Sequence, residues 1–359
     1  MTRLTSVCLL AALLILACAA PPPTPAFDDR LAAGRTALDS GDAAKAITEL
    51  EAAVAINPTR AEAQVLLGKA YYASGRRDDA RSRLQVGLQQ DPNNAEAQYL
   101  LGDLSVDAKQ TLDAAVAYSA AVKLDPNSRS AHPNIDQVID PTLKAGKDAV
   151  SAGNSDQAVK LLEAVSILQP DNIEARFALG NLHANLGRFD AAQAAYEAVL
   201  RINPKYSPAM TNLGVMAYQR ADLDKAIDLF QQALAIDPND AETHYLLGAA
   251  YLNQEKRDEA RQQFERALEL KPELAVAHIG LGNVYLLDKD YPQAVVTLQH
   301  AIQLAPQSPE AYFALGKAYA EMGQPADAIT ALQEFLKLNP VEPFKSEAQQ
   351  LLQKLGAAP

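Results

Sequence analysis

Prolines return at a fixed interval of 34 residues through most of this 359-residue chain. The series is Pro58, Pro92, Pro126, Pro170, Pro204, Pro238, Pro272, Pro306 and Pro340, and only the step from Pro126 to Pro170 differs, at 44 residues. A constant interval of this size is typical of repeat proteins, whose units bury their apolar faces on their neighbours. The chain is therefore a repeat array rather than the two or three separate domains that its length alone would suggest.

Two small residues recur with the same interval. The glycines are Gly34, Gly68, Gly102, Gly146, Gly180, Gly214, Gly248, Gly282 and Gly316. The alanines are Ala46, Ala80, Ala114, Ala158, Ala192, Ala226, Ala260, Ala294 and Ala328. Glycine inside a helix costs about 1 kcal/mol relative to alanine, so nine such glycines require a packing reason. We expect each glycine to face the alanine of a second, closely packed helix.

One unit, residues 241–274, shows the complete pattern. Its first helical segment carries Leu247, Gly248 and Tyr251, its second carries Ala260, Phe264 and Ala267, and Pro272 ends it. This pattern resembles the tetratricopeptide (TPR) repeat family over residues 27–342, although His244 stands where the family often has tryptophan. The resemblance implies an all-α fold, a TPR α-solenoid. Nine helical hairpins would form a right-handed superhelix, followed by a C-terminal capping helix.

The long step divides the array into repeats 1–3 (27–128) and repeats 4–9 (139–342), separated by an insertion at 129–138. We expect the fourth repeat to resume near Ile139, with Asp140 as N-cap and Pro141 in the first turn. The insertion is interpreted as a semi-rigid joint, and a local bulge in one continuous superhelix is the alternative. Residues 343–359 are predicted to form the capping helix and a tail, because apolar residues from Phe344 to Leu355 share one helical face.

The N-terminus carries an export signal. Arg3 precedes an apolar run, 7–17, that is too short to span a membrane comfortably. The run ends in "ILAC" (15–18), which resembles the lipobox of bacterial lipoproteins. That resemblance implies a signal peptide of residues 1–17, a lipid on Cys18, and a proline-rich tether at 18–26. Ordinary cleavage after an Ala-x-Ala pattern at 17–19 is the alternative.

The location follows from this signal. Anchored by lipid, the protein is expected to be exported and attached to the outer membrane, facing the periplasm. In a bacterium with a single membrane, it would lie on the outer face of the plasma membrane. Ala19 does not resemble the aspartate that retains lipoproteins at the inner membrane.

Composition and motifs argue against several functions. The formal net charge is −12 and no basic run is present, so a nucleic-acid partner is not expected. We find none of the common catalytic motifs and no stretch long enough for a catalytic domain, so we predict no enzyme activity and no small-molecule substrate. The histidines lack nearby further ligands, so neither a metal site nor a cofactor is expected.

The family resemblance implies that the first helices line a concave groove that binds protein. Its first row would include Leu31, Val65, Tyr99, Phe177, Tyr245, Ile279 and Phe313, and Tyr72 and Tyr218 lie one turn later. Between the rows run Arg35, Lys69, Asp103, Lys147, Asn181, Asn283 and Lys317. Contiguous apolar residues on an exposed face indicate a docking surface for a peptide or helix. Packing between neighbouring helices is the alternative reading of these rows.

The function predicted from these features is a non-enzymatic scaffold that binds other envelope proteins during assembly of an envelope, pilus or secretion complex. An accessory subunit that recruits or regulates an envelope enzyme, such as a peptidoglycan hydrolase or protease, is the alternative. Both rest on analogy at the level of the fold.

Overall fold

A computed structural model describes residues 26–357, and this part of the chain is built from α-helices and two short 3-10 helices, without strands. The predicted signal peptide, Cys18 and all but the last residue of the tether lie outside the described residues. Among residues 26–357, no helix combines the length and the apolar character needed to cross a membrane.

Nineteen α-helices follow one another within the described part of the chain. They are α1 (Phe27–Asp39), α2 (Ala43–Ile56), α3 (Ala61–Ala73), α4 (Arg77–Gln90), α5 (Ala95–Asp107), α6 (Thr111–Leu124), α7 (Asp136–Ser151), α8 (Ser155–Leu168), α9 (Ile173–Asn185), α10 (Phe189–Ile202), α11 (Ser207–Gln219), α12 (Leu223–Ile236), α13 (Ala241–Asn253), α14 (Arg257–Leu270), α15 (Ala275–Leu287), α16 (Tyr291–Leu304), α17 (Pro309–Glu321), α18 (Pro325–Lys337) and α19 (Phe344–Lys354). The odd-numbered helices α1 to α17 are the first helices of nine hairpins, and the even-numbered helices are the second helices.

The turn inside each hairpin reverses the chain through one residue with a positive φ. Glycine occupies it five times, for example at Gly75 with φ +82°, where no side chain is strained. Lys109, Ala221, Glu255 and Lys289 adopt the same conformation in the other four hairpins. The turn therefore has the same backbone geometry even where its positive-φ residue is not glycine.

The two helices of each hairpin meet at the helical glycine. A methyl group added to Gly214 would lie 2.6 Å from Cε1 of Phe230 on the second helix, which is closer than such atoms can approach. The residue touched in this way, four positions after the repeating alanine, is called here the contact position. Its nine occupants are Leu50, Leu84, Tyr118, Leu162, Tyr196, Phe230, Phe264, Leu298 and Leu332.

The expectation that alanine supplies the facing surface is therefore wrong in its main point. The glycine makes room for a large side chain at the contact position, because that side chain fills the space between the helices. The repeating alanines are completely buried, and carbonyl oxygens of a few of them, such as Ala260, also lie near the glycine.

The helices group into two compact units, with the boundary after Thr142. The first unit holds α1 to α6, the two 3-10 helices and the start of α7. Its core is a continuous cluster from Leu31 to Leu104. The second unit holds the rest of α7 and α8 to α19, and its core is a series of clusters between neighbouring hairpins.

The long step of the array contains the 3-10 helices Pro126–Ala131 and Pro133–Ile135, followed directly by α7 at Asp136. Asp140 is therefore not an N-cap, and Pro141 lies inside the helix rather than in its first turn. The helix begins early because Ile135, Val138 and Ile139 share a helical face and are all buried. The interpretation of the insertion as a joint stays a prediction.

The last helix, α19, covers the end of the second unit. Ala348 and Leu352 are completely buried against Leu332, Phe335 and Phe313. Without α19 these apolar side chains would face water, because no further hairpin follows them in the described part of the chain. α19 therefore occupies the place of a capping helix.

Replacing Gly214 by alanine is expected to destabilise the protein by about 1–3 kcal/mol, because the new methyl group collides with the buried ring of Phe230. Helix propensity alone would favour the change by about 1 kcal/mol, so the two effects have opposite signs. Chemical denaturation measures the difference. The matched control is Glu163→Ala, an exposed position within α8 that should change stability little. A Gly214→Ala protein as stable as the parent would contradict the packing argument.

Truncating Leu352 to alanine is expected to cost about 2–5 kcal/mol in the stability of the C-terminal end, since it leaves a cavity against Leu332 and Phe335. The neighbouring exposed Gln353→Ala should cost less than about 0.5 kcal/mol. Hydrogen exchange of α17 and α18 amides locates the effect. Equal exchange in the two variants would show that α19 contributes nothing to the end of the array.

Candidate functional site: the first-helix face

The candidate site is the face of the first helices that carries the residue directly after each helical glycine. This residue is called here the post-glycine position. Its nine occupants are Arg35, Lys69, Asp103, Lys147, Asn181, Val215, Ala249, Asn283 and Lys317. All of them have at least part of their surface in contact with solvent.

The first predicted row is mostly core. The expectation that it is exposed is wrong at Leu31, Val65, Tyr99, Ile279 and Phe313, each of which is less than a tenth exposed. Their side chains pack into the clusters between neighbouring hairpins, because a stacked array has to bury this row to hold its units together. The other members of the predicted groove are half-buried or exposed. These are Phe177 and Tyr245 of the same row, Tyr72 and Tyr218, and the post-glycine residues.

In the first unit the post-glycine cations are neutralised by their own chain. Arg35 pairs with Glu62, and Lys69 Nζ lies 2.5 Å from Glu96 Oε1. Each acceptor is the second residue of the next first helix, 27 positions further on. These four charged side chains line one open pocket of about 290 Å³. Both cations of the pocket are paired with a glutamate of the same chain, and the acidic Asp39 also lies in its lining.

Tyr72 is also engaged within the first unit. The guanidinium of Arg77 lies 4.6 Å from the centre of the Tyr72 ring, and Arg77 pairs with Asp107 at 2.8 Å. A ring covered in this way by a cation presents less of its face to a partner.

The remaining groove residues of the first unit are covered by the insertion. The imidazole of His132 stacks on Tyr99 with ring centres 3.7 Å apart. Asp103 accepts hydrogen bonds from the Tyr118 hydroxyl at 2.7 Å and from Asn134 Nδ2 at 3.0 Å. Burial and the bond to Asp103 raise the pKa of Tyr118. Tyr99 and Asp103 are therefore occupied by residues of the same unit.

The second unit shows what the insertion replaces. Asn181 accepts from the Tyr196 hydroxyl at 2.8 Å and from Asn212 Nδ2 at 2.9 Å, as Asp103 does from Tyr118 and Asn134. Phe177 meets the ring of Tyr206 edge-on at 5.2 Å, in the place where Tyr99 meets His132. At Phe177 and Asn181 these contacts come from the next hairpin. The insertion thus supplies the third repeat with the ring and the amide that a following repeat would provide.

The post-glycine residue is matched to the contact position of its own hairpin. Where the contact residue is leucine, the post-glycine residue is a cation, as in Arg35/Leu50, Lys69/Leu84, Lys147/Leu162 and Lys317/Leu332. Where it is tyrosine, the post-glycine residue is Asp103 or Asn181, which accepts the phenol proton. Where it is phenylalanine, the post-glycine residue is the apolar Val215 or Ala249.

Asn283 departs from this rule. Its contact residue is Leu298, which has no hydroxyl to donate, and a cation is found beside leucine in the other four hairpins of this kind. Within residues 26–357, the half-exposed amide of Asn283 makes no side-chain hydrogen bond. Internal packing accounts for the other polar residues of this row, but it does not account for Asn283.

At both ends of the second unit, the cation at the post-glycine position is paired with a glutamate. Lys147 pairs with Glu174, and Lys317 pairs with Glu347 at 3.0 Å. Between them, Glu310 lies 27 positions after Asn283 and so has no cation opposite it. Its carboxylate accepts a hydrogen bond from Ser308 Oγ at 2.8 Å and makes no ion pair within the described residues.

Two partly buried tyrosines, Tyr218 and Tyr245, lie on the first helices α11 and α13 of the same unit. Burial, with smaller contributions from Tyr218 and Glu310, raises the pKa of Tyr245. Tyr245 packs against the apolar cluster that includes Leu281 and Val284 of α15, the helix that carries Asn283. The Tyr218 hydroxyl accepts from Asn253 Nδ2 at 2.7 Å, which holds its ring in place. This part of the face carries aromatic, amide and carboxylate groups and no cation at a post-glycine position.

Tyr218, Tyr245 and Asn283 are residues of the groove predicted from the sequence, whereas Glu310 is not. The spacing of charged residues pointed to Glu310, because a cation followed by glutamate 27 residues later occurs at Arg35, Lys69 and Lys147. The absence of a cation before Glu310 could therefore have been read from the sequence. The burial of the first row was not readable in this way, because an exposed and an inter-hairpin apolar row have the same periodicity.

Family comparisons agree with this architecture. Tetratricopeptide-repeat profiles match residues 37–104, 143–207 and 177–241, and the profile of the cilia and flagella-associated protein 70 middle TPR-like domain matches 217–339. The chain belongs to the tetratricopeptide-repeat family, and the predicted all-α fold of TPR hairpins is confirmed. No curated protein sequence matches it.

Solved structures share the fold at low sequence identity. PilF of Pseudomonas aeruginosa is 18% identical, with a TM-score of 0.54 over 60% of this chain and 98% of that one. PilW, described as a widely conserved type IV pilus biogenesis factor, is 17% identical, with a TM-score of 0.53 over 59% and 98%. A chain of the Cut9–Hcn1 hetero-tetramer is 16% identical, with a TM-score of 0.54 over 92% and 90%.

Proposed function

We propose that the protein is a non-enzymatic scaffold of the bacterial envelope that binds segments of other envelope proteins on its first-helix face. The observation that carries this proposal is the stretch of the second unit from Asn181 to Asn283, where the post-glycine positions carry amide or apolar residues instead of cations. Half-buried tyrosines there combine a large apolar surface with a polar tip, a combination common where proteins bind each other.

The first unit supports this choice of site by contrast. Its post-glycine cations are paired, and Tyr99 and Asp103 are covered by the insertion. A partner binding there would have to break these contacts first, and their loss would offset part of the free energy of binding. In the second unit, Asn283 makes no side-chain hydrogen bond within residues 26–357, and Tyr245 keeps part of its ring in contact with solvent, so a partner can reach both without breaking an ion pair.

The location in the envelope is proposed from the N-terminal sequence. A lipid on Cys18 and the proline-rich tether after it would hold the hairpins close to a membrane while leaving the first-helix face accessible. Several acyl chains on one cysteine anchor a protein stably, since each buried methylene group contributes roughly 0.8 kcal/mol. The fold similarity to PilW, a pilus biogenesis factor, is compatible with a role in assembly.

In cells fed labelled palmitate, the protein is expected to incorporate the label, and Cys18→Ala should abolish incorporation, because Cys18 is the proposed acceptor. Cys8→Ala is the matched control, since Cys8 lies in the segment that cleavage would remove. Incorporation that persists in Cys18→Ala would contradict the lipid anchor and leave ordinary signal cleavage as the explanation.

The double change Tyr218→Ala with Tyr245→Ala is expected to reduce cross-linking of the protein to envelope partners in cells by roughly tenfold or more, because two aromatic anchors are lost. Circular dichroism should show unchanged helix content. Phe189→Ala, an exposed aromatic change on a second helix, is the control and should leave cross-linking intact. Equal cross-linking in the parent and the double variant would rule out the first-helix face as the binding surface.

A further inference from the structure

We propose that the first-helix face between α11 and α17 selects segments that carry a cationic side chain, with arginine preferred, and that Glu310 is its ion-pair partner. This inference rests on the proposed function and specifies which partner segments the face would accept. The ligand class follows from charge complementarity in a face whose own cation is missing.

The positions equivalent to Asn283 and Glu310 hold an ion pair in other repeats. In three places a first-helix cation meets the glutamate 27 residues later: Arg35 with Glu62, Lys69 with Glu96, and Lys147 with Glu174. Asn283 and Glu310 occupy the same two positions, but the cation has been replaced by a neutral amide. The array therefore shows that this geometry accommodates a bound cation, and at Asn283 that cation is missing.

The neighbours of Asn283 give no internal reason for the replacement. The asparagine at the same position of α9, Asn181, is required by the phenol of Tyr196 and the amide of Asn212. Asn283 has neither partner, since Leu298 stands at the contact position of its hairpin. Its carbonyl oxygen and amide nitrogen are both free to bind a ligand within the described structure.

Between α11 and α17, Glu242 is the other glutamate at the second position of a first helix. Val215 stands opposite it at the post-glycine position, and Lys271 lies 3.4 Å away and neutralises it. Glu310 has no such neighbour among the described ion pairs. The unmatched negative charge is thus confined to one position, which favours a single cationic group rather than a long basic segment.

The groups around Glu310 decide which cationic side chain fits this position. Glu310 and the carbonyl of Asn283 are acceptors, and the ring of Tyr245 packs against the cluster of Leu281 and Val284 on the helix that carries Asn283. A guanidinium has five donors in a planar fork and packs well on aromatic faces, whereas an ammonium is a compact, strongly hydrated charge. Arginine therefore fits this set of groups better than lysine, and an acidic side chain would be repelled by Glu310.

Fluorescence anisotropy with four labelled peptides tests the proposal on the chain from residue 19 onward, which includes every described residue. Each peptide has one variable central residue, which is arginine, lysine, glutamine or glutamate, with three leucines on either side. We expect affinity to fall in that order, with arginine at least about fivefold tighter than glutamine, and the preference to weaken at high salt. Equal affinity of the four peptides, or no binding by any of them, would overturn the proposal.

Two variants assign the preference to this position. Glu310→Gln should reduce arginine-peptide affinity roughly tenfold and leave the glutamine peptide unchanged. Asn283→Lys restores the cation found elsewhere in the array and should also remove the arginine preference, because the new lysine neutralises Glu310. Glu265→Gln, an exposed change of the same charge on a second helix, should have no effect. Glu310→Gln and Asn283→Lys proteins that both retain the preference would refute the assignment.

The result separates this inference from the broader one. If the four peptides bind equally and Tyr218→Ala with Tyr245→Ala abolishes binding, the face binds polypeptide but does not select charge. If the arginine preference holds while cross-linking to envelope partners is unaffected by the tyrosine changes, the selectivity is real and the proposed function is wrong.

Discussion

The close contact between a helical glycine and one large side chain of the second helix is the interaction on which the rest of this structure depends. It occurs nine times in the described residues, and the hydrogen of each glycine leaves room for a leucine, tyrosine or phenylalanine at the centre of its hairpin. A hairpin cannot otherwise fill the space between its helices, because two ordinary side chains would force them apart. The glycine lowers the helix propensity, but the contact gives the hairpin a densely packed core. The outer side of the hairpin then stacks on the next hairpin.

The same contact links the core to the surface. The contact side chain reaches past the glycine towards the next residue of the first helix, and this post-glycine residue is matched to it. A phenol has to donate its proton to some acceptor when it is buried, so Tyr118 and Tyr196 are paired with Asp103 and Asn181. Leucine makes no such demand and leaves the position free for a solvated cation. The composition of the first-helix face is therefore set partly by the core, and a surface residue that the core does not explain, such as Asn283, is informative.

Much of the fold was predictable because its determinants are periodic. The 34-residue interval and the repeating glycine gave the number of hairpins and their order. The apolar positions 344–355 indicated α19. The start of α7 was not predictable, because a proline within a helix, Pro141, reads in sequence as a first-turn residue. The four positive-φ residues without glycine, such as Lys109, were also hidden, since the tight turn imposes that conformation and the local sequence does not announce it.

Only the general position of the candidate site on the first helices was predictable from the sequence. An apolar row on the first helices serves two purposes, stacking and binding, and sequence periodicity is the same for both. Contacts between residues far apart in the sequence decide between them. Tyr99 is covered by His132, at a step where no new hairpin follows directly, whereas the ring of Tyr245 keeps part of its surface in contact with solvent. The insertion closes the end of the third repeat with the same two kinds of contact that join ordinary repeats. The part of the face that can accept a partner is therefore the part whose side chains are not engaged by the core, by an ion pair or by the insertion.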